Sequence, residues 1–383
     1  MTLGFFDVVS AGPWRRAFRC LVAVLVIAGC GGGADGDDPD GDAGQGQMGS
    51  LEAALRSAVD ESIIPAVEDF ARGARGLETS VDAFCEAPSD RGLVALQDEW
   101  LDLSRSWNRV GIYFLGPLDE DIIMPSMIFI ESMRQRGMDY TDTVRETLAA
   151  AVSETDPLDD TFFEGLTFNR VGMLALEVLL FEESSADPPA IDPADIAQRY
   201  LDHERQCDYL QGVARLLRER ADGVEAGWTD EFLDTGLPFR ELLLRDMLAD
   251  GSEPVNALLL AAIKHLEYLR LRKLDGVVDL AVAGRARPEL SPFWDNLAAG
   301  LDALEGLMDP PGSDAGFFLV MMERGFEAEV DVARDSFEGA RKAVEAEDRE
   351  QAAAAFLVLE TSLRREVPLG LGVDLGITFT DGD

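Results

Sequence analysis

Val171-Gly172-Met173-Leu174-Ala175-Leu176-Glu177-Val178-Leu179-Leu180-Phe181 is an apolar run that carries a single charge. It has no strand-like alternation and reads as the end of a buried helix spanning about 160–182. A carboxylate in such a setting must be paired, ligated or protonated, because an isolated buried charge costs several kcal/mol. Glu177 therefore has two readings. One is a structural partner, drawn from the Arg105 region or from an arginine in the second half of the chain. The other is a ligand site.

Outward from this run the chain keeps helical periodicity. A loop, SSADPPAIDP, follows it, and Asp192-Pro193 then caps and opens a helix over about 193–226. Before it, Ser50 caps a helix starting at Leu51, Pro65 breaks that helix, and a new one runs to Cys85. Further helices fall at about 91–113 and 138–153, and a second set at about 239–249, 253–275, 292–308, 316–344 and 347–365. The expectation is an all-α protein of two bundle-like halves, 51–228 and 229–383, with a boundary near Gly227-Trp228.

Residues 1–50 read differently. Arg15, Arg16 and Arg19 precede an apolar run from Cys20 to Gly29. Ten helical residues rise only ~15 Å, about half a bilayer core, so the run is a signal h-region and not a membrane span. It ends in Val26-Ile27-Ala28-Gly29-Cys30, which resembles the lipobox of bacterial lipoproteins. Residues 1–29 are thus read as a signal peptide and Cys30 as the lipidated residue. Gly31 follows it, a pattern that in Gram-negative lipoproteins implies the outer membrane, facing the periplasm. Residues 30–50, rich in Gly and Asp, cannot bury a core and read as a tether.

The formal net charge of -40, from 73 acidic against 33 basic residues, repels nucleic acid and anionic lipid surfaces. It leaves cations and basic polypeptides as partners. With Cys20 removed and Cys30 acylated, Cys85 and Cys207 remain. Two thiols in an oxidising compartment pair, and the loop between them is long enough for roughly 4 kcal/mol in the chain-entropy account.

Four stretches carry a family resemblance. Trp100, Arg105 and Trp107, running into Gly116-Pro117, are similar to a W…R.W…FGP segment, and Gly172–Phe181 to GxHxxEYLLF. Arg205, Cys207, Tyr209 and Leu210 are similar to RRCAYLQ, with Phe84-Cys85-Glu86-Ala87-Pro88 as its FCxxP partner. Leu371–Ile377, ending in Asp381-Gly382-Asp383, is similar to LGVTLGF…DGD. Together they resemble the imelysin-like proteins, from about residue 51 to the end. The resemblance implies two helical bundles related by a pseudo-repeat, a link to iron uptake, and a historical description as peptidases. It also implies that Gly172 and Glu177 belong to the site. Glu289 and Ser291, in PELSPFWDN, resemble the ESxxS segment that faces the GxHxxE helix across the domain interface.

One departure matters. His and Glu three apart on one helical face can share a metal ion, but Leu174 stands at the His position and offers no ligand. Glu177 is then the remaining candidate for a metal, such as iron or another divalent or trivalent cation that favours oxygen. His203 and Cys207, four apart on a helix, could hold a metal only if Cys207 were not in a disulfide. His265 reads as an interfacial or surface histidine. HExxH, GxSxG, P-loop and GxGxxG patterns are all absent.

Three function classes follow. The first is a non-catalytic binding or accessory lipoprotein tied to iron or another metal, with no catalytic residue. The second is a metallopeptidase, which needs a metal on about three protein ligands plus an activated water. The third is a helical module that binds another protein.

Overall fold

Helix starts are marked by side chains that accept an N–H from the first turn, meeting donors that no helical carbonyl can reach. Ser89 accepts from Gly92, Asp159 from Phe162, Asp192 from Ala194, Glu253 from Asn256 and Asp348 from Gln351. The computed structural model describes residues 43–121, 124–134, 137–185, 188–276 and 279–375. The signal peptide 1–29, Cys30, most of the 30–50 tether and the C-terminal Asp381-Gly382-Asp383 lie outside the described residues.

The helices are α1 (Ala43–Ser57), α2 (Ile64–Glu86), α3 (Asp90–Val110), α4 (Ser126–Ile130), α5 (Thr141–Ser153), α6 (Asp160–Glu164), α7 (Gly172–Phe181) and α8 (Pro193–Asp202). They continue with α9 (Glu204–Thr229), α10 (Phe239–Leu244), α11 (Pro254–Tyr268), α12 (Ala281–Ala286), α13 (Pro292–Met308), α14 (Phe317–Glu323), α15 (Glu327–Glu345) and α16 (Arg349–Leu371). Among the described residues there is no strand beyond one antiparallel bridge between Glu183 and Ala190. The protein is all-α. No described helix is long and apolar enough to cross a membrane.

Several boundaries differ from the sequence reading. Helix α1 starts at Ala43, so Ser50 lies within it and does not cap a helix at Leu51, and residues 43–50 are helix and not tether. Pro65 does not break the chain: a π-helical turn, Ala58–Ile63, joins α1 to α2. A wider turn accommodates a residue that lacks the N–H and would crowd the preceding turn. The helix expected over 160–182 is two, α6 and α7, separated by a 3-10 turn at Phe168–Arg170 and by Gly172 at φ 73°. His203, with extended backbone, separates α8 from α9. Gly325, at φ 84°, lies between α14 and α15. Helix α12 was not expected at all.

α2 packs between α3 and α9, α13 lies along α3, and α15 pairs with α16, which also meets α11. Helices from both sides of Gly227 contribute to one hydrophobic core that includes Trp100, Trp107 and Trp228. The expected Cys85–Cys207 disulfide is present, joining the last turn of α2 to the first turn of α9. The final carbonyls of α7 are met from outside the helix: Gln97 donates to Leu180 O and the Tyr200 hydroxyl to Leu179 O, both at 2.8 Å.

Candidate functional site

α7 can lie where it does because residue 172 has no side chain. A Cβ there would stand 2.3 Å from the Phe129 carbonyl oxygen and 2.6 Å from that of Ile130, at a φ that L side chains rarely adopt. The approach seats α7 against α4, and one face of α7 lines a cleft with residues of α3, α13 and the segments around Glu131 and Lys273. Leu174, which stands at the His position of the motif, is half-buried in its wall.

Glu177 is 3% exposed, and its Oε1 accepts the backbone N–H groups of Val282 at 3.0 Å and Ala283 at 2.9 Å. Burial pushes its pKa up to about 8; the two amides pull the other way, and the charges of Asp279 and Glu182 add to the rise. The expected arginine partner is not there. Arg105 pairs instead with Asp102 and Asp295. An arginine of the second half, Arg285, does reach the end of α7, but it binds Glu182 at 2.7 Å. The first turn of α12 supplies amide hydrogens without a partner in their own helix, so Glu177 is satisfied by backbone.

Beside it lies a second buried polar cluster. Glu131, alone among apolar neighbours, accepts Trp107 Nε1–H at 2.7 Å on one oxygen. On the other it accepts the Tyr268 hydroxyl at 2.8 Å and the Lys273 ammonium at 2.6 Å. Lys273 also pairs with Asp279 at 2.7 Å. Across the cleft, Asn296 donates to Ser104 Oγ at 2.7 Å. The Trp100 indole N–H, in a fully buried side chain that lines the same cleft, has no acceptor among the described residues.

Glu131, Lys273, Asp279 and Asn296 were missed in the sequence, although two signals existed. Glu131 is the only charge in PSMIFIESM, the same mark that singled out Glu177. Lys273 is one of three lysines in the chain, with Lys264 and Lys342. The structure does not bring Glu289 and Ser291 to the cleft. Glu289 is exposed and pairs with Arg287 at 2.8 Å, whose hydrogen bond lowers its pKa. Ser291 sits in left-handed backbone, φ 43°, immediately before α13 and makes no side-chain cap bond. Because α13 starts at Pro292, its cleft-facing residue is Asn296, one turn further on.

The donors for a metal ion are not assembled. Among the described residues no group of three or more His, Cys, Asp or Glu could share one. Cys207 is in the disulfide, His203 lies between α8 and α9, and His265 is buried on α11. At the motif itself Leu174 has no lone pair to give, Glu177 Oε1 is taken up by two amides, and an ammonium already stands among the nearby carboxylates. These residues do not fit a metal ion.

A family model, that of the Imelysin peptidase family, matches residues 63–304. No curated protein matches the chain. A crystal structure of an imelysin-like protein from Psychrobacter arcticum 273-4 superposes with a TM-score of 0.65 at 16% identity, covering 86% of this chain and 98% of the other. That of a putative iron-regulated protein A precursor from Parabacteroides distasonis ATCC 8503 gives 0.55 at 14% identity, over 84% and 95%. At these identities the structures speak to the fold. The family match covers more than half of the sequence, and it agrees with the helical fold and the ordered motifs around Trp100, Cys85–Cys207 and Gly172–Phe181: the chain belongs to the imelysin family.

Proposed function

We propose that this protein is an exported, lipid-anchored, non-catalytic binding or accessory protein that serves the uptake of iron or another metal from the periplasmic face of the outer membrane. The lipobox-like Val26–Cys30 and the Gly/Asp-rich stretch after it support export and anchoring. The iron theme is supported by family membership and by the name of the iron-regulated neighbour. A surface field from a net charge of -40 concentrates cations and basic polypeptides. The two bundle-like halves are taken over from the family in the same spirit.

The observation that carries the non-catalytic reading is the wall of the cleft. A hydrolytic metal needs about three protein ligands and an open position for water. Here the motif position is Leu174, the Glu177 carboxyl group holds α12, and Lys273 supplies the positive charge. What the cleft does offer is hydrogen bonding, including the unmatched Trp100 N–H, which suits recognition of a ligand or of a partner protein.

The test is incubation of the purified chain with denatured protein, with and without chelator, beside Glu177→Gln. No cleavage is expected. Chelator-sensitive cleavage that disappears in Glu177→Gln would establish the metallopeptidase instead. Thermal unfolding with Fe³⁺, Fe²⁺, Zn²⁺, Ca²⁺ and Mg²⁺ then separates the binding modes. Small, equal shifts with every ion, unchanged in Glu177→Gln, mean screening of surface charge and direct the search to a protein partner. A shift for one transition metal alone, lost in Glu177→Gln, means that the cleft takes up that metal. Anchoring is read separately, as palmitate incorporation that vanishes in Cys30→Ala.

A further inference from the structure

Lys273 is 2% exposed, and its Nζ stands where oxygen atoms from three separate stretches of chain converge. Glu131 Oε1 lies at 2.6 Å, Asp279 Oδ2 at 2.7 Å and Asn108 Oδ1 at 3.4 Å. Two carboxylates and an amide oxygen are the donors that a hard divalent ion selects. Taking an ammonium out of water is costly, and only opposite charges at this range offset it. Burial pulls the amine's pKa down, yet Asp279 and Glu131 together hold it above the ordinary lysine value, so the group stays charged. Arginine is the chain's cation almost everywhere else. A planar guanidinium does not fit a point enclosed by three oxygens, whereas a compact ammonium does.

We propose that Lys273 is the resident cation of the cleft: its ammonium fills the oxygen-lined point that a divalent ion would otherwise take, and the site binds its ligand without metal. The inference rests on reading the cleft as a non-catalytic binding site. It implies a latent site, because a chain without this ammonium presents Glu131, Asp279 and Asn108 to any cation small enough to enter.

The experiment is thermal unfolding of the chelator-stripped full chain with Mn²⁺, Ca²⁺ or propylammonium, the fragment that Lys273→Ala removes. The wild type is expected to show only the same slight drift with all three. Lys273→Ala is expected to melt lower and to recover with Mn²⁺ and with propylammonium, by an amount that grows with the logarithm of concentration. Lys273→Ala/Asp279→Asn should not recover. No recovery in Lys273→Ala, or equal recovery in the double variant, overturns the proposal. Should Lys273→Ala not fold, the metal content of wild type dialysed against Mn²⁺ decides. No ion dependent on Asp279 is expected, and one equivalent per chain that disappears in Asp279→Asn overturns it. Chelator-sensitive cleavage by the wild type would sink the non-catalytic reading regardless of rescue, while absent rescue without cleavage sinks this inference alone.

Discussion

The carboxyl group of Glu177 accepts the backbone N–H of Ala283 at 2.9 Å, so α7 and α12, far apart in the chain, are joined by a buried acid and not by apolar packing alone. Five residues on, Glu182 binds Arg285 near the other end of the same short helix. α12 is therefore held at both ends, by Glu177 within α7 and by Glu182 just past its last residue, and it forms part of the boundary of the cleft.

The first prediction concerns that bond. Glu177→Ala strands two buried amides and should cost about 1–3 kcal/mol, whereas Glu177→Gln keeps an acceptor oxygen and should cost less. The pH dependence has a definite sign. The folded pKa of about 8 lies above the ordinary 4.5, so between these values the folded chain keeps a proton that the unfolded chain has released. Stability from this group is complete below the lower value and is lost as pH rises through the upper one, at no more than about 1.4 kcal/mol per pH unit. Denaturant unfolding from pH 5 to 9 should show that slope in wild type and lose it in Glu177→Gln. A difference between the two that is independent of pH would refute it.

The special status of Glu177 was legible because one charge in an apolar helix has few physical explanations. Its partner was not, because the donors belong to backbone amides of a six-residue helix that has no signature of its own, only AVAGRA after a turn. The Asp192-Pro193 start could be read because the cap and the proline act locally. The effect of Pro65 was misread because the π turn before it depends on tertiary packing of Ala58, Val59 and Ile63. Lys273 meeting Glu131 is a long-range arrangement that periodicity cannot reveal. The register of α13, which turns Asn296 and not Ser291 to the cleft, was fixed by the left-handed backbone of a single serine.

Glu182 makes a sharper stability prediction. It is 1% exposed and takes Arg145 through two bonds, 2.6 and 2.8 Å, as well as Arg285. Glu182→Ala leaves Arg145 with Asp142 alone and removes a buried two-bond pairing, which should cost about 1.5–3 kcal/mol. Arg285 is half exposed, so Arg285→Ala should cost about 1 kcal/mol or less. Urea midpoints of the two variants check this ordering, and equal losses would show that the carboxylate is not the centre of the cluster.

At Gly172 a methyl group would face two carbonyl oxygens inside 3 Å while the backbone stays at positive φ. Relaxation must move α7 or α4, since neither obstacle is a flexible side chain. Gly172→Ala should therefore lower stability by about 2 kcal/mol or more. It should also disturb the cleft, which a shift in the fluorescence of Trp100 and Trp107 would report. A variant as stable as wild type would mean that α7 can shift freely and that the cleft is not rigidly held.

The last prediction separates covalent from packing contributions at the junction of α2 and α9. The Cys85–Cys207 bond spans a sequence separation of 122 and should contribute roughly 4 kcal/mol, chiefly by restricting the unfolded chain. The two helices also pack along their lengths, and each buries apolar residues, among them Phe70 and Val81 on α2 and Leu210 and Leu217 on α9. That contact survives loss of the bond. Cys207→Ser should accordingly retain the helical circular dichroism of the wild type at 25 °C but unfold at distinctly lower denaturant, and added reductant should lower the wild type to the same midpoint. If Cys207→Ser were unfolded from the outset, the disulfide and not the core would be what holds α9 in place. If its midpoint were unchanged, the unfolded chain would already be as compact without the bond as with it.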